Sequence, residues 1–107
     1  GARPALLGAA RHDRILARTS HLPYLVSCAL VKAALADGIK PSELRQFSAG
    51  GWRDMTRLAF SNSGMATGYV NSNRKEVAAA LRAFTKLYGM LLRTVTNSQR
   101  YVLFLPG

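Results

Sequence analysis

One long stretch near the N-terminus, residues 9–38, reads AARHDRILARTSHLPYLVSCALVKAALADG. Its mostly apolar positions recur at alternating steps of four and three, which is typical of one face of a helix: Ile15, Thr19, Leu22, Val26, Ala29 and Ala33. Pro23 lies inside this helix and lacks a backbone N–H, so we expect a kink or break near residues 19–22. Asp37 and Gly38 predict the end of the helix, because glycine readily adopts the left-handed conformation found past a helix C-terminus.

The second part of this helix, residues 24–36, is apolar on nearly every side. A helix with that pattern must be surrounded by other helices, and a chain of 107 residues supplies few of them. We therefore expect a second subunit to provide part of the cover, in a homodimer. The same stretch is too short to cross a bilayer, which takes about 20 residues, and Lys32 interrupts it, so we expect no membrane span.

The C-terminal half predicts a second long helix, which begins after Asn73. Asn73 can cap the first turn while Glu76, three residues on, reaches back to it. The apolar positions that follow again alternate by four and three, as in the core of a helix bundle: Val77, Leu81, Phe84, Tyr88, Leu91 and Val95.

Shorter elements connect the two long helices. The sequence predicts a helical turn at residues 41–45, a flexible connector at 48–51, a helix at 52–60 and a weak helix at 65–70. The apolar tail at residues 101–105 is either a strand-like extension or the ragged end of the chain. The predicted fold class is all-α, with one helical domain over residues 1–107. We expect a helical bundle with a long kinked N-terminal helix and a long C-terminal helix, completed by dimerisation.

The net charge of the chain is +10, from 15 Lys and Arg against 5 Asp and Glu. A charge of this sign suggests nucleic acid, an acidic membrane surface or an anionic small molecule as partner. The basic residues are spread along the chain, however, and only Arg74 and Lys75 are adjacent. A basic helical nucleic-acid-binding module is therefore an alternative interpretation, and we expect no nucleic acid as the partner.

The residue types that bind metals are few. On an unbroken helix, the nine residues from His12 to His21 turn the chain through about 900°, which places the two rings on opposite faces. Neither histidine has a cysteine or carboxylate at metal-ligand spacing, so we expect no metal site. Cys28 is the single cysteine and cannot form an internal disulfide, which fits a reducing, cytoplasmic setting.

A second polar cluster reads GGWRDMTR from Gly50 to Arg57. Gly50 and Gly51 leave the first N–H groups of the following helix open to an anion. Arg53 and Arg57 lie four residues apart on one face, where both can reach a carboxylate. The alternative is that Asp54 and Arg57 form a surface ion pair and that the glycines are only a turn. The spacing leaves both interpretations open.

Taken together, three features resemble one known family. They are HDRILARTSHLPYLVSCAL at residues 12–30, AGGWRDMTRLAFS at residues 49–61, and Met65 and Asn73 at matching distances. In this order and separation they resemble the C-terminal domain of the prephenate dehydrogenase family, over residues 11–95. The resemblance implies a dimer and part of an enzyme of tyrosine biosynthesis. Such an enzyme oxidises and decarboxylates prephenate or arogenate with NAD or NADP.

The resemblance also implies roles for single residues. Arg57 matches the family arginine that binds a substrate carboxylate, and we place Arg53 beside it as a substrate-binding residue. The positions that line or brace the substrate cleft are matched by His12, Asp13, His21 and Asp54, and we count His12 and His21 among the substrate-binding residues.

Two positions depart from the family pattern, and the first of them concerns the choice of substrate. Tyr24 stands where many relatives have a second histidine, close to the substrate side chain, and Ala66 stands where they have tryptophan. We count Tyr24, Gly50 and Gly51 among the supporting residues, together with Asp13 and Asp54. Both prephenate and arogenate stay open as the substrate.

The sequence contains no Gly-x-Gly-x-x-Gly turn after a strand, which is the usual binding site of a dinucleotide. The resemblance places the catalytic histidine in an N-terminal Rossmann domain that is absent from this chain. We therefore expect no catalytic residue here, no cofactor bound by the chain alone, and no dehydrogenase activity from it. Hydride transfer requires cofactor and substrate to be held together. A third interpretation is a pure dimerisation or regulatory domain without a substrate site.

Overall fold

The computed structural model describes residues 8–61 and 63–97, and every regular element in them is helical. The elements are α1 (Ala9–Leu16), a π-helical turn (Ala17–His21), α2 (Leu22–Ala34), a 3₁₀ turn (Ala36–Gly38), α3 (Pro41–Phe47), α4 (Gly50–Thr56), a second 3₁₀ turn (Arg57–Phe60), α5 (Ser63–Ser72) and α6 (Arg74–Thr96). The all-α prediction is confirmed. The apolar tail at residues 101–105 lies outside the described residues.

The first long helix contains an irregular turn where the sequence predicts a break. The π-helical turn at Ala17–His21 joins α1 to α2 without leaving the helical region, so the chain widens there instead of ending. Pro23 falls in the first turn of α2, where its missing N–H is tolerated. The helix ends as predicted: Asp37 and Gly38 both have left-handed backbones, with φ of 61° and 78°.

The buried core is small and lies where the π-helical turn meets α6. Its apolar members are Ala17, Val77 and Ala80, and Leu22, Leu25, Val70 and Leu81 pack against them. Two of the three buried side chains are only a methyl group, so the helices can approach closely at this crossing. The π-helical turn also packs against α5, which makes it the junction of the N-terminal and C-terminal halves.

Three local predictions are corrected by the structure. Gly50 and Gly51 are not a flexible connector but the first two residues of α4. The predicted weak helix is a full α5 of 10 residues, and Gly68 lies inside it. Asn73 occupies the N-cap position of α6, but its side chain makes no capping bond there. Glu76 instead lies 3.7 Å from Arg18, so the predicted capping box is wrong.

The apolar stripe of α6 is largely uncovered in the single chain. Tyr88 and Val95 are 53% and 63% exposed, and Leu87 and Leu92 beside them are exposed as well. A groove of about 380 Å³ runs between α2 and α6, lined by Leu25, Val26, Ala29, Leu30, Ala33, Met55, Leu81, Phe84, Thr85 and Tyr88. A continuous apolar surface of this kind marks a contact with another molecule.

We predict that Ala17→Leu destabilises the chain by about 1–3 kcal/mol, because a larger side chain cannot fit between the helices at this crossing. Ala10→Leu, on the exposed surface of α1, is the matched control and should change stability by less than about 0.5 kcal/mol. Urea unfolding at one protein concentration measures both. Equal stabilities of the two variants would contradict the position of the core.

Candidate functional site

A cavity of about 270 Å³ lies between the π-helical turn, the start of α2 and α5. It is lined by Ser20, His21, Tyr24, Leu58, Ser61, Met65, Ala66, Tyr69 and Val70. Its volume is near the lower end of the range for small-molecule sites, which begins at about 300 Å³. Most of the lining is apolar, with a few polar groups among it, so the cavity suits one ring of a small ligand.

His21 is the most constrained polar residue of this cavity. It is the last residue of the π-helical turn and is 7% exposed. Its ring stacks on Tyr69, with 5.8 Å between the ring centroids and 15° between the planes. Its Nδ1 lies 3.4 Å from Nδ2 of Asn73, and the same Nδ2 donates a 2.7 Å hydrogen bond to the backbone oxygen of Asp13. His21 is therefore held from two sides.

Tyr24 lies one turn after His21 and lines the same cavity. A hydrogen bond with the side chain of Cys28 raises the pKa of the Tyr24 phenol above its ordinary value. The phenol donates its proton in that bond, and its oxygen keeps lone pairs that can accept a hydrogen bond from a ligand.

A larger groove of about 1140 Å³ lies between α4, α3 and the end of α2. Its lining contains three basic side chains, Arg45, Arg53 and Arg57, and one acidic side chain, Asp54. Trp52 and Phe60 contribute apolar surface. Within the described part of the chain, the ion pairs are His12–Asp13 and Arg18–Glu76. Arg57 thus forms no ion pair with Asp54 there, and the groove presents unpaired guanidinium groups to an anion.

Ser27 fixes the turn that carries Arg57. Ser27 is 2% exposed, and its Oγ accepts a 3.0 Å hydrogen bond from the backbone N–H of Ala59. Thr56, at the end of α4, is buried and donates a 2.7 Å hydrogen bond to the backbone oxygen of Trp52. The Ser27 bond attaches the Arg57–Phe60 turn to α2, the helix that follows His21, whereas the Thr56 bond stays within α4.

The two concavities adjoin, because Ser61 lines both. Arg57 borders the larger one, and its neighbour Leu58 borders the smaller one. His21 therefore lines the cavity that adjoins the groove of Arg57, and the two residues line different concavities. One ligand could span both.

Other predicted site residues lie elsewhere. His12 and Asp13 are exposed on α1, with 3.6 Å between His12 Nδ1 and Asp13 Oδ1, and they line neither concavity. Asp13 reaches the site only through its backbone oxygen, by way of Asn73. Gly50 and Gly51 are in the first turn of α4 and also line neither concavity.

The sequence reasoning missed four residues that build the site. Tyr69 and Asn73 support His21, and Ser27 holds the turn of Arg57. Arg45 lines the larger groove together with Arg53 and Arg57, and we call this groove the arginine groove. Ser27 had a usable signal, since a polar residue inside an apolar helix needs a partner when it is buried. The partner of Asn73 lies 60 residues away, so local spacing gave no sign of it.

Residues 8–61 and 63–97 contain no group of three or more His, Cys, Asp and Glu side chains placed to hold a metal ion. In these ranges, too, no helix has the length and apolar character needed to pass through a membrane.

A comparison with known protein families gives a match over most of the chain. Residues 8–104 match the family described as prephenate dehydrogenase, dimerization domain. The chain belongs to this family. As a member of the prephenate dehydrogenase dimerization-domain family, it has relatives among both curated proteins and solved structures.

A prephenate dehydrogenase from Lactococcus lactis is 30% identical over 81 residues, which are 76% of this chain and 23% of that protein. Among solved structures, an arogenate dehydrogenase from Synechocystis has a TM-score of 0.83 at 25% identity, over 92% of this chain and 36% of its own. A prephenate dehydrogenase from A. aeolicus, solved with hydroxyphenyl propionate and NAD+, has a TM-score of 0.74 at 29% identity. It matches 86% of this chain and 32% of its own. The chain thus spans about a quarter to a third of these relatives.

We predict that Ser27→Ala costs about 1–3 kcal/mol of stability, because it leaves the Ala59 N–H without its partner. Hydrogen exchange of that amide should become faster than in the wild type. Ser42→Ala, on the exposed surface of α3, is the control and should leave both quantities nearly unchanged. Unaltered exchange at Ala59 in the Ser27 variant would show that the turn is held by other contacts.

Proposed function

We propose that this chain is the substrate-binding and dimer-forming part of a prephenate or arogenate dehydrogenase. Its membership of the dimerization-domain family supports this proposal. The single observation that carries it is the adjoining pair of concavities, one with His21 and Tyr24 and one with the unpaired arginines. The comparisons give no support to a nucleic-acid-binding function.

The chemistry of the substrate matches these two concavities. Prephenate carries one carboxylate on its six-membered ring and a second on its pyruvyl side chain, and arogenate keeps both, with an amino group in place of the side-chain keto oxygen. Arg57, with Arg53 beside it, pairs with a carboxylate through charge-assisted hydrogen bonds. The ring lies in the smaller cavity, where His21 and Tyr24 form hydrogen bonds with its polar groups. Arg57 thus orients the substrate and the smaller cavity excludes water from its ring.

The nicotinamide cofactor does not fit this chain alone. Its pyrophosphate is usually held by a glycine-rich turn between a strand and a helix, and the described residues form helices only. We assign cofactor binding and the catalytic histidine to a separate Rossmann domain. When bound there, the cofactor would supply the acceptor for the substrate hydride. The chain alone has no dehydrogenase activity under this proposal, since the two reactants must be held together.

We predict that Arg57→Ala weakens the binding of prephenate or arogenate about tenfold to a hundredfold in the enzyme that combines this chain with its nucleotide-binding domain. Losing a hydrogen bond to a charged group costs about 1.5–3 kcal/mol. Calorimetric titration measures the change, and Arg82→Ala, exposed on α6, is the control. Unchanged affinity in the Arg57 variant would favour a domain that only dimerises or regulates.

The dimer is part of the same proposal. The uncovered groove between α2 and α6 is apolar, and the exposed residues of α6 continue it toward the C-terminus. A second copy of this chain covers that surface, as the name of the family indicates for its members. The burial of this surface contributes free energy that the small core of one chain does not supply.

We predict that Tyr88→Asp converts the dimer to a monomer, because it places an unpaired charge on the apolar face of α6. Lys86→Asp introduces the same acid two residues earlier, outside the lining of the groove, and should leave the dimer intact. Light scattering at micromolar concentration distinguishes the 11.6 kDa chain from twice that mass. A wild-type chain that is monomeric under these conditions would refute the dimer.

A further inference from the structure

Asn73 connects three elements at one point beside the cavity. It stands between α5 and α6, and its side chain reaches α1 and the π-helical turn. Its Nδ2 donates to the backbone oxygen of Asp13 at 2.7 Å. A carbonyl oxygen can only accept, so the atom that faces Asp13 must be the amide nitrogen. The orientation of the Asn73 amide is therefore determined by its partner.

The same amide nitrogen determines which nitrogen of His21 carries the proton. Nδ2 of Asn73 lies 3.4 Å from Nδ1 of His21 and has hydrogens but no lone pair to offer. Nδ1 of His21 must therefore be the acceptor, without a proton of its own. A neutral His21 then carries its proton on Nε2.

Nε2 of His21 has access to the cavity. No hydrogen bond to Nε2 is present among the described residues, and in that part of the chain no buried side-chain nitrogen or oxygen lacks a partner. Nε2 therefore keeps contact with solvent, and the ring lines the cavity. The stacking of His21 on Tyr69 limits rotation of the ring, so the N–H is presented in one direction.

We propose that Asn73 is a positioning residue that fixes the tautomer of His21, so that His21 presents an Nε2–H donor to an acceptor oxygen of the ligand. The proposal deepens the function proposed above, because the hydrogen bond from His21 to a ligand oxygen rests on that function. The tautomer itself does not, because it follows from contacts within the chain.

The tautomer can be measured without any ligand. Long-range proton–nitrogen correlation spectra of the chain, labelled with ¹⁵N in histidine, separate protonated from unprotonated ring nitrogens. The chain has two histidines, so a His12→Gln variant assigns the signals of His21. The spectra are recorded at a pH of about 8. We expect Nδ1 of His21 to be unprotonated and Nε2 to be protonated.

Two variants test the role of Asn73. Asn73→Ala removes the donor, so the Nδ1–H form becomes populated and the Nδ1 resonance shifts toward the protonated position. Asn73→Asp supplies an acceptor in its place and should make the Nδ1–H form dominant. Aspartate is also a good N-cap residue, so this variant preserves the start of α6. Asn71→Ala, exposed on α5, is the control and should leave the His21 signals unchanged.

Two outcomes would overturn the proposal. One is a His21 that carries its proton on Nδ1 while Asn73 is intact, which needs no Asn73 variant to detect. The other is an Nδ1 resonance of His21 that stays in place in both Asn73 variants while their helical circular dichroism matches the wild type. If the tautomer responds as expected but Arg57→Ala leaves substrate affinity unchanged, then the proposed function fails and the positioning role stands.

Discussion

The wide turn at Ala17–His21 is the constraint on which the rest of the structure depends. A π-helical turn shifts the backbone hydrogen bonds by one residue, so some carbonyl groups lose their regular partners. Side chains bond to three successive carbonyl groups before it: Asn73 to Asp13, Arg18 to Arg14 and Thr19 to Ile15. Pro23, which has no N–H to donate, follows directly in α2. The turn thus keeps the helix continuous while it changes which side chains face inward.

The position of His21 follows from this turn. Ala17 and His21 are its two ends, and both are buried, one against α6 and the other beside α5. In a regular helix, residues four apart lie on the same face. In the wider π-helical turn, Ala17 contacts α6 and His21 contacts α5. The core and the candidate site therefore share this five-residue turn, which gives Ala17 to the core and His21 to the site. A change that restored a regular helix here would move both together.

The sequence predicts the long helices well because their periodicity is local. Helix ends at Asp37–Gly38 and the start of α6 after Asn73 were also readable, since capping and glycine preferences act within a few residues. The function of Asn73 was not readable, because a tertiary contact to Asp13 replaced the local cap. The same competition explains Glu76, which pairs with Arg18 instead of closing a capping box. The arginine groove was partly predictable from the spacing of Arg53 and Arg57, but Arg45 comes from another helix.

The face of α2 that holds the site and the face that needs a partner are opposite sides of one helix. Tyr24, Ser27 and Val31 contact the concavities or the Arg57 turn, whereas Leu25, Ala29 and Ala33 line the apolar groove. The part of the chain that the structure describes has three buried apolar residues and gains little free energy from its own core, since that gain scales with the apolar area removed from water. Covering the groove with a second copy therefore stabilises α2. This helix carries Ser27 and continues directly from the π-helical turn that ends at His21. Under the proposed function, dimer formation and the geometry of the substrate site are thermodynamically linked, so the order of the site depends on protein concentration.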